Sequence, residues 1–239
     1  MTDTSNAVPK PSHHRCETCD VRHRAICAAV DAEHNDRLEA LVSHHDYAPG
    51  QVIFEEGDPA EYVFNISQGE VRLYKLLPDG RRQVTGFLIP GDFLGLITDG
   101  AYAYGAEAIG PVELCCMRLS GLERLLSDMP PVRERLLDMS RDELAAAQEQ
   151  MLLLGRKSAR EKILSFLLYR QRHLDPTGRD ASVDLPMSRT DIADYLGLTI
   201  ETVSRTFTAL RDEGLIELPN PHHVIFPDMD AVRDAAEAA

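Results

Sequence analysis

The chain has 239 residues, more than one ordinary domain needs, and 44% of them are hydrophobic, which excludes wholesale disorder. No apolar run approaches the roughly 18 residues a bilayer span requires, and the opening MTDTSNAVPKPSHHR has no apolar centre of the secretory kind. A cytoplasmic location with no membrane partner is therefore expected, and the net charge of −14 at first argues against a polyanionic partner.

The first dozen residues carry no periodic pattern and read as disordered. His13 to Cys27 is rich in histidine and cysteine. Asp31 to Ser43 reads as a short amphipathic helix with Leu38, Leu41 and Val42 on one face. From Tyr47 to about Leu119 the texture becomes β: Val52 to Phe54, Tyr62 to Ile66, Val71 to Tyr74, Val84 to Leu88 and Glu113 to Leu119 are separated by turns such as Pro49-Gly50, Gln68-Gly69 and Pro90-Gly91-Asp92. Short strands with glycine-centred turns predict an antiparallel sandwich or barrel.

Pro130-Pro131 opens a long helix that runs to about Gly155. Leu137, Leu144 and Met151 recur every seven residues, with Ser140, Ala147 and Leu154 in the alternate seam position. That narrow stripe predicts a two-stranded coiled coil and hence a homodimer. Acidic Asp142, Glu143 and Glu149 flank it, so association is expected to be marginal. A second helix spans Ser158 to about His173.

Ser188 to Leu210, SRTDIADYLGLTIETVSRTFTAL, reads as a helix-turn-helix. Ser188 or Thr190 caps the first helix and Thr199 the second. Ile192, Ala193 and Leu196 face inward, as do Val203, Phe207 and Leu210; Gly197 supplies the sharp turn. The outward face of the second helix carries Glu201, Thr202, Ser204, Arg205 and Thr208, groups that bond to base edges and phosphates in the major groove of double-stranded DNA. Charge agrees with this placement. Met1 to Leu154 holds 14 basic and 25 acidic residues, whereas Gly155 to Leu218 holds ten of each. Leu215 to Phe226 reads as a β-hairpin, which makes the domain a winged one.

The five cysteines are an odd set without an export signal, which favours metal or thiol chemistry over disulfides. Cys16, Cys19 and Cys27 form C-x2-C-x7-C, and a cubane iron–sulfur cluster wants a fourth thiolate. Cys115 and Cys116 are the candidates, and neighbours on a strand face opposite sides, so one of them serves. The residues alone leave several readings open: structural zinc with His23 or His14, a metal-free thiol switch, or haem. His44-His45 and His222-His223 read as solvated surface pairs. No phosphate-binding glycine loop or nucleophile elbow is present, so an enzyme is not expected.

A β-roll, a long helix and a winged helix-turn-helix in that order resemble the CRP/FNR family of bacterial regulators. DYLGLTIETVSR and MLLLGRKSAREK resemble its FNR branch, the FnrN/FnrL-like oxygen sensors, which share the seven-residue gap before the third cysteine. The fold class implied is α+β: residues 1–30 a cysteine-rich segment, 31–128 a β-roll like that of cyclic-nucleotide-binding proteins, 129–156 a dimerisation helix, 157–239 the DNA-binding domain. The resemblance implies a [4Fe–4S] cluster on Cys16, Cys19, Cys27 and Cys115, the last selected by its distance before Met129-Pro130. It implies that Glu201, Ser204 and Arg205, with Thr199 and Thr202 beside them, read a TTGAT-type palindrome. It also implies dimerisation through Leu137, Leu144, Ala147, Glu149, Met151 and Leu154, and a contact of the turn Pro78 to Arg82 with RNA polymerase. Cyclic nucleotide is not expected, because no Arg or Lys occurs from Gln83 to Met117 to meet its phosphate.

Overall fold

The structure, a computed structural model, describes residues 16–95 and 97–237. His14 and the first dozen residues lie outside the described residues. The chain divides into two compact units: one runs up to Lys75 and resumes over Gly86–Asp142, the other comprises Leu76–Thr85 and Glu143–Ala239.

The first unit begins with single turns at Cys16–Thr18, Ile26–Ala29 and Ala32–His34, the last leading into α1 (Asn35–Glu39). Helix stops there, and Val42–Tyr47 is a strand, β1. The helix expected from Asp31 to Ser43 is thus shorter than its apolar spacing suggested, because Val42 and His44 alternate into a sheet. β2 (Val52–Phe54), β3 (Tyr62–Gln68), β4 (Val71–Leu76) and β5 (Arg82–Leu88) follow. Short strands come next: β6 (Phe93–Leu94), β7 (Ile97–Thr98), β8 (Ala101–Tyr102) and β9 (Gly105–Ala108). β10 (Val112–Arg118) closes the roll.

Two four-stranded sheets, β1-β10-β3-β6 and β2-β9-β4-β5, carry the roll. Alternation decides their faces. Leu114 and Cys116 of β10 point into an apolar core with Phe64, Ile66 and Leu73. Glu113, Cys115 and Met117 occupy the other face, toward the cysteine segment. A second core lies there: Ile26 and Val30 of the segment pack with Leu38, Val63 and Met117. It is completed by Leu122 and Leu125 of α2 (Leu119–Asp128), by Met129, and by Val132 of α3 (Pro130–Arg156).

Helix α3 is 27 residues long. Val132 is buried near its start and Leu153 near its end. Between them the heptad stripe faces solvent: Leu137 is 51% exposed, Leu144 59% and Met151 64%.

In the second unit, α4 (Ala159–Leu174) begins at a capping box in which Ser158 and Glu161 satisfy each other's backbone N–H groups. β11 (Ser182–Asp184) leads to α5 (Arg189–Leu196), which opens on a second such box between Ser188 and Asp191. Gly197 ends α5 with φ +62°, the left-handed conformation a side chain resists. Thr199 accepts from Thr202 N–H to cap α6 (Ile200–Asp212). β12 (Glu217–Asn220) and β13 (His223–Ile225) form the wing hairpin, joined by β11 into a three-stranded sheet. α7 (Met229–Glu237) closes the unit and packs on α4. Neither β11 nor α7 was foreseen from the sequence. Among the described residues no helix is long and apolar enough to cross a membrane.

Candidate metal centre and nucleic-acid interface

The cysteine segment is shaped by one cation. Arg22 Nη1 donates to the Cys16 carbonyl (3.1 Å), and its Nη2 donates to the Val30 carbonyl (2.6 Å) and to Asn35 Oδ1 (2.7 Å). These bonds gather both ends of the segment around a single guanidinium, whose planar fork suits several acceptors at once. The Cys16 N–H donates to Glu39 Oε1 of α1 at 2.8 Å. Gly91 turns with φ +99° directly against Arg24. From the long helix, Arg135 donates to the Arg24 carbonyl. The segment is therefore held on the roll, on α1 and on the start of α3.

This folding brings four thiols to one place. Cys16, Cys19 and Cys27 from the segment and Cys115 from β10 line a single cavity of about 160 Å³. A cavity near 150 Å³ takes a benzene-sized group, so this one has room for more than a lone ion. No disulfide joins the described cysteines. Among the described residues no three His, Cys, Asp or Glu groups gather tightly enough to hold a single metal ion. His23 is exposed, bonds to the Asp20 carbonyl through Nδ1 (3.0 Å) and is not among the residues lining the cavity. Cys116 is buried on the opposite face of β10, its Sγ directed to the Leu114 carbonyl.

Electrostatics describe the same convergence. Burial pushes the Cys27 thiol up to about 11 and the Cys115 thiol up to about 12. Repulsion between the sulfurs adds to both: Cys115 feels Cys19, Cys16 and Cys27. Cys16 is likewise raised, by burial first and then by Glu39, while Arg22 pulls it back. Without a cationic partner Cys27 and Cys115 stay protonated at neutral pH. A metal centre at this site must displace those protons and neutralise the crowded thiolates. Donor set and room both fit a multi-iron centre ligated by thiolate.

Polar groups missed in the sequence reading lie beside Cys115. His44 on β1 and Asn65 on β3 are its cross-strand neighbours in register. His44 Nδ1 is 3.6 Å from Cys115 Sγ and 3.2 Å from Glu113 Oε1. Far from being a solvated surface pair, His44 lines the cavity. The signal available in the sequence was its position two residues after Val42 in what is now a strand. His222 and His223 also have partners, the Leu185 carbonyl and Asp184.

On the second unit, α5 and α6 present the expected constellation. Val203, Phe207 and Leu210 are buried, and Glu201, Ser204, Arg205 and Thr208 are exposed along one face of α6. Glu201 stands in the first turn, where backbone N–H and Thr199 bonds hold its carboxyl below the usual range, with Arg205 adding to the effect. The two helices are locked by Arg189, whose guanidinium lies 3.4 Å from the centroid of the Phe207 ring. The turn Pro78 to Arg82 belongs to this unit. Arg81 pairs with Asp79, and Arg82 pairs with Asp191 (2.6 Å) and Asp194 (3.0 Å) of α5. That pairing occupies Arg82, while Asp79 and Arg81 remain at the exposed tip.

Two family models match the chain: a cyclic nucleotide-binding domain over residues 44–129 and a Crp-like helix-turn-helix domain over residues 161–235. The chain is 46% identical over 222 residues to the transcriptional activatory protein AadR of Rhodopseudomonas palustris, covering 92% of this chain and 90% of that one. It is 41% identical over 228 residues to the transcriptional activator protein FnrL of Cereibacter sphaeroides, covering 93% and 92%. Among solved structures it is similar to FixK2 from Bradyrhizobium japonicum, with a TM-score of 0.77 and 38% identity over 83% of this chain and 99% of that one.

Proposed function

The chain belongs to the CRP/FNR family of DNA-binding transcription regulators, and from that premise we propose that it is an oxygen-responsive activator. In this reading Cys16, Cys19, Cys27 and Cys115 hold a [4Fe–4S] cluster, and with it intact a homodimer binds a TTGAT-type palindrome. The observation that carries the reading is the convergence of four thiols, three from one segment and one from a distant strand, on a single cavity. Their spread around about 160 Å³ favours this group over one zinc ion, which needs its ligand atoms roughly 2.0–2.3 Å from a common centre. Relatives named as transcriptional activators, FnrL among them, favour activation.

A bound iron–sulfur cluster supplies reactivity toward oxygen. The chain's own residues supply the coupling. With the four thiolates held together, Ile26 and Val30 stay packed on Met129 and Val132, and Arg135 stays bonded to the Arg24 carbonyl, so the start of α3 is braced. Once the thiolates are released, burial favours neutral thiols, and the segment loses the interaction that offsets its ordering entropy.

The braced helix would then dimerise through Leu137, Leu144, Ala147, Met151 and Leu154, apart from the buried Val132 and Leu153. Glu149 beside this seam keeps the association weak enough to switch. Two α6 helices in a dimer meet half-sites one helical turn apart, which is why the operator should be a palindrome. No cyclic nucleotide enters this scheme, since residues 83–117 offer no cation for its phosphate.

Anaerobic purification with iron, sulfide and zinc analysis tests the reading, together with binding to a TTGAT palindrome before and after air. About four iron and four sulfide per chain, and DNA binding lost as the colour bleaches, is the expected result. Stoichiometric zinc, or DNA binding indifferent to air, would overturn it. The RNA polymerase contact is tested separately at the exposed tip. Asp79→Ala and Arg81→Ala are expected to lower transcription without changing operator affinity.

A further inference from the structure

The cavity is lined by more than thiols and apolar groups. Sheet register sets His44, Cys115 and Asn65 side by side across β1, β10 and β3, and cross-strand neighbours share a face. All three face the cavity. Glu113, two residues before Cys115 on the same strand, faces it as well. His44 and Glu113 side chains are each only 12% exposed. Burying two such polar groups is costly unless they bond to something there.

Their bonding is uneven. His44 Nδ1 meets hydrogen-bond geometry toward Cys115 Sγ at 3.6 Å. Toward Glu113 it stands at ion-pair distance, 3.2 Å, and Glu113 Oε1 is buried with no hydrogen-bond partner. A carboxylate beside Nδ1 favours the tautomer that carries its proton there. Sulfur is then the group to which that proton points. Asn65 Oδ1 on the opposite flank is also buried without a partner, and an amide turned about its terminal bond offers N–H₂ from the same place.

We propose that His44, backed by Glu113, donates a hydrogen bond to the Cys115 sulfur and thereby sets how readily the metal centre at this site is oxidised. The proposal rests on the iron–sulfur reading given above. It makes Cys115 the ligand tuned by the rigid sheet, in contrast to the three ligands on the segment. A hydrogen bond to a ligand sulfur stabilises the more negatively charged, reduced state, and between partly buried groups its effect is larger than in solvent. His44 is a positioning and tuning residue and need not itself ligate metal.

The test compares wild type with His44→Phe, His44→Gln and Glu113→Gln, all reconstituted anaerobically. Iron and sulfide per chain, midpoint potential and the rate of bleaching in air are measured, along with the thermal midpoint of the metal-free protein. His44→Phe is expected to hold a normal iron content, to shift to a more negative potential and to bleach several-fold faster. His44→Gln, which keeps a donor, should recover most of the difference, and Glu113→Gln should fall between. Potentials and bleaching rates equal to wild type in His44→Phe with full iron would overturn the proposal alone. If His44→Phe fails to load iron, His44→Gln and Glu113→Gln decide: wild-type behaviour in the first with a shift in the second supports the hydrogen bond, and no shift in either refutes it. Absence of iron and sulfide from the wild type would instead remove the underlying reading, and this proposal with it.

Discussion

Gly91 illustrates how little room the cysteine segment has. A Cβ there would stand 2.6 Å from Cβ of Arg24, and φ is +99°. Gly91→Ala is expected to lift the segment from the roll at a cost of about 1–2 kcal/mol; faster proteolysis between Cys16 and Val30 in the metal-free protein would register it, and unchanged cleavage would refute it. On the DNA side, Arg205 projects from α6 with nothing burying it. Arg205→Ala should weaken operator binding by about 1–3 kcal/mol, roughly 5- to 150-fold, and relax discrimination at one base pair. A gel-shift series with each base substituted checks both parts. Asp175 offers a pH handle in the loop after α4. Its carboxylate accepts from Thr177 Oγ1 and N and from Asp180 N, which hold its pKa down to about 2. A depressed acid stabilises the fold above its unfolded value near 4, and that stabilisation is lost as pH falls through the folded value. The loop over residues 175–180 should therefore keep its amide shifts down to about pH 3 and lose them below about 2; loss already at pH 4 would contradict the bonding seen.

At the scale of elements, what was legible depended on whether one force decided the outcome. The helix-turn-helix was read correctly in caps, turn and buried stripe because Ser188, Gly197, Thr199 and Val203 each express a local rule. The roll strands with β-branched runs were likewise visible. β1 was not: VSHHDY has little β propensity, and it is a strand because β10 offers six paired positions. For the same reason the sequence around His44 reads as surface. β11, three residues long, and α7 depend on partners far away in sequence. Strand alternation sets Cys115 and Cys116 on opposite faces without saying which lines the cavity; the core around Leu114 and Phe64 takes Cys116 and leaves Cys115 on the cavity wall. The α3 stripe was legible in its heptad spacing, and Leu137, Leu144 and Met151 are exposed in the single chain, as the proposed seam requires. Glu149→Ala removes an exposed charge beside that seam, so it should strengthen dimerisation several-fold and permit operator binding in air. Sedimentation and gel shift on aerobic protein test this, and a variant whose dimerisation and operator binding in air match those of wild type would count against it.

Across the whole molecule, the four thiols are set by two pieces of chain that are far apart in sequence, with 87 residues between Cys27 and Cys115. Any group that binds all four closes that loop as a cross-link does. Constraining a loop of about 100 residues is worth up to about 4–5 kcal/mol through the unfolded chain alone. The regulator would then carry a removable staple, and its heat tolerance should follow its oxidation state. Holding metal, the first unit is expected to melt several degrees higher than without it, while the DNA-binding unit should melt unchanged. Calorimetry under nitrogen and in air would separate the two transitions. On the proposed reading, one site would then report oxygen twice, through the genes the dimer occupies and through how long each copy of the protein survives its proteases.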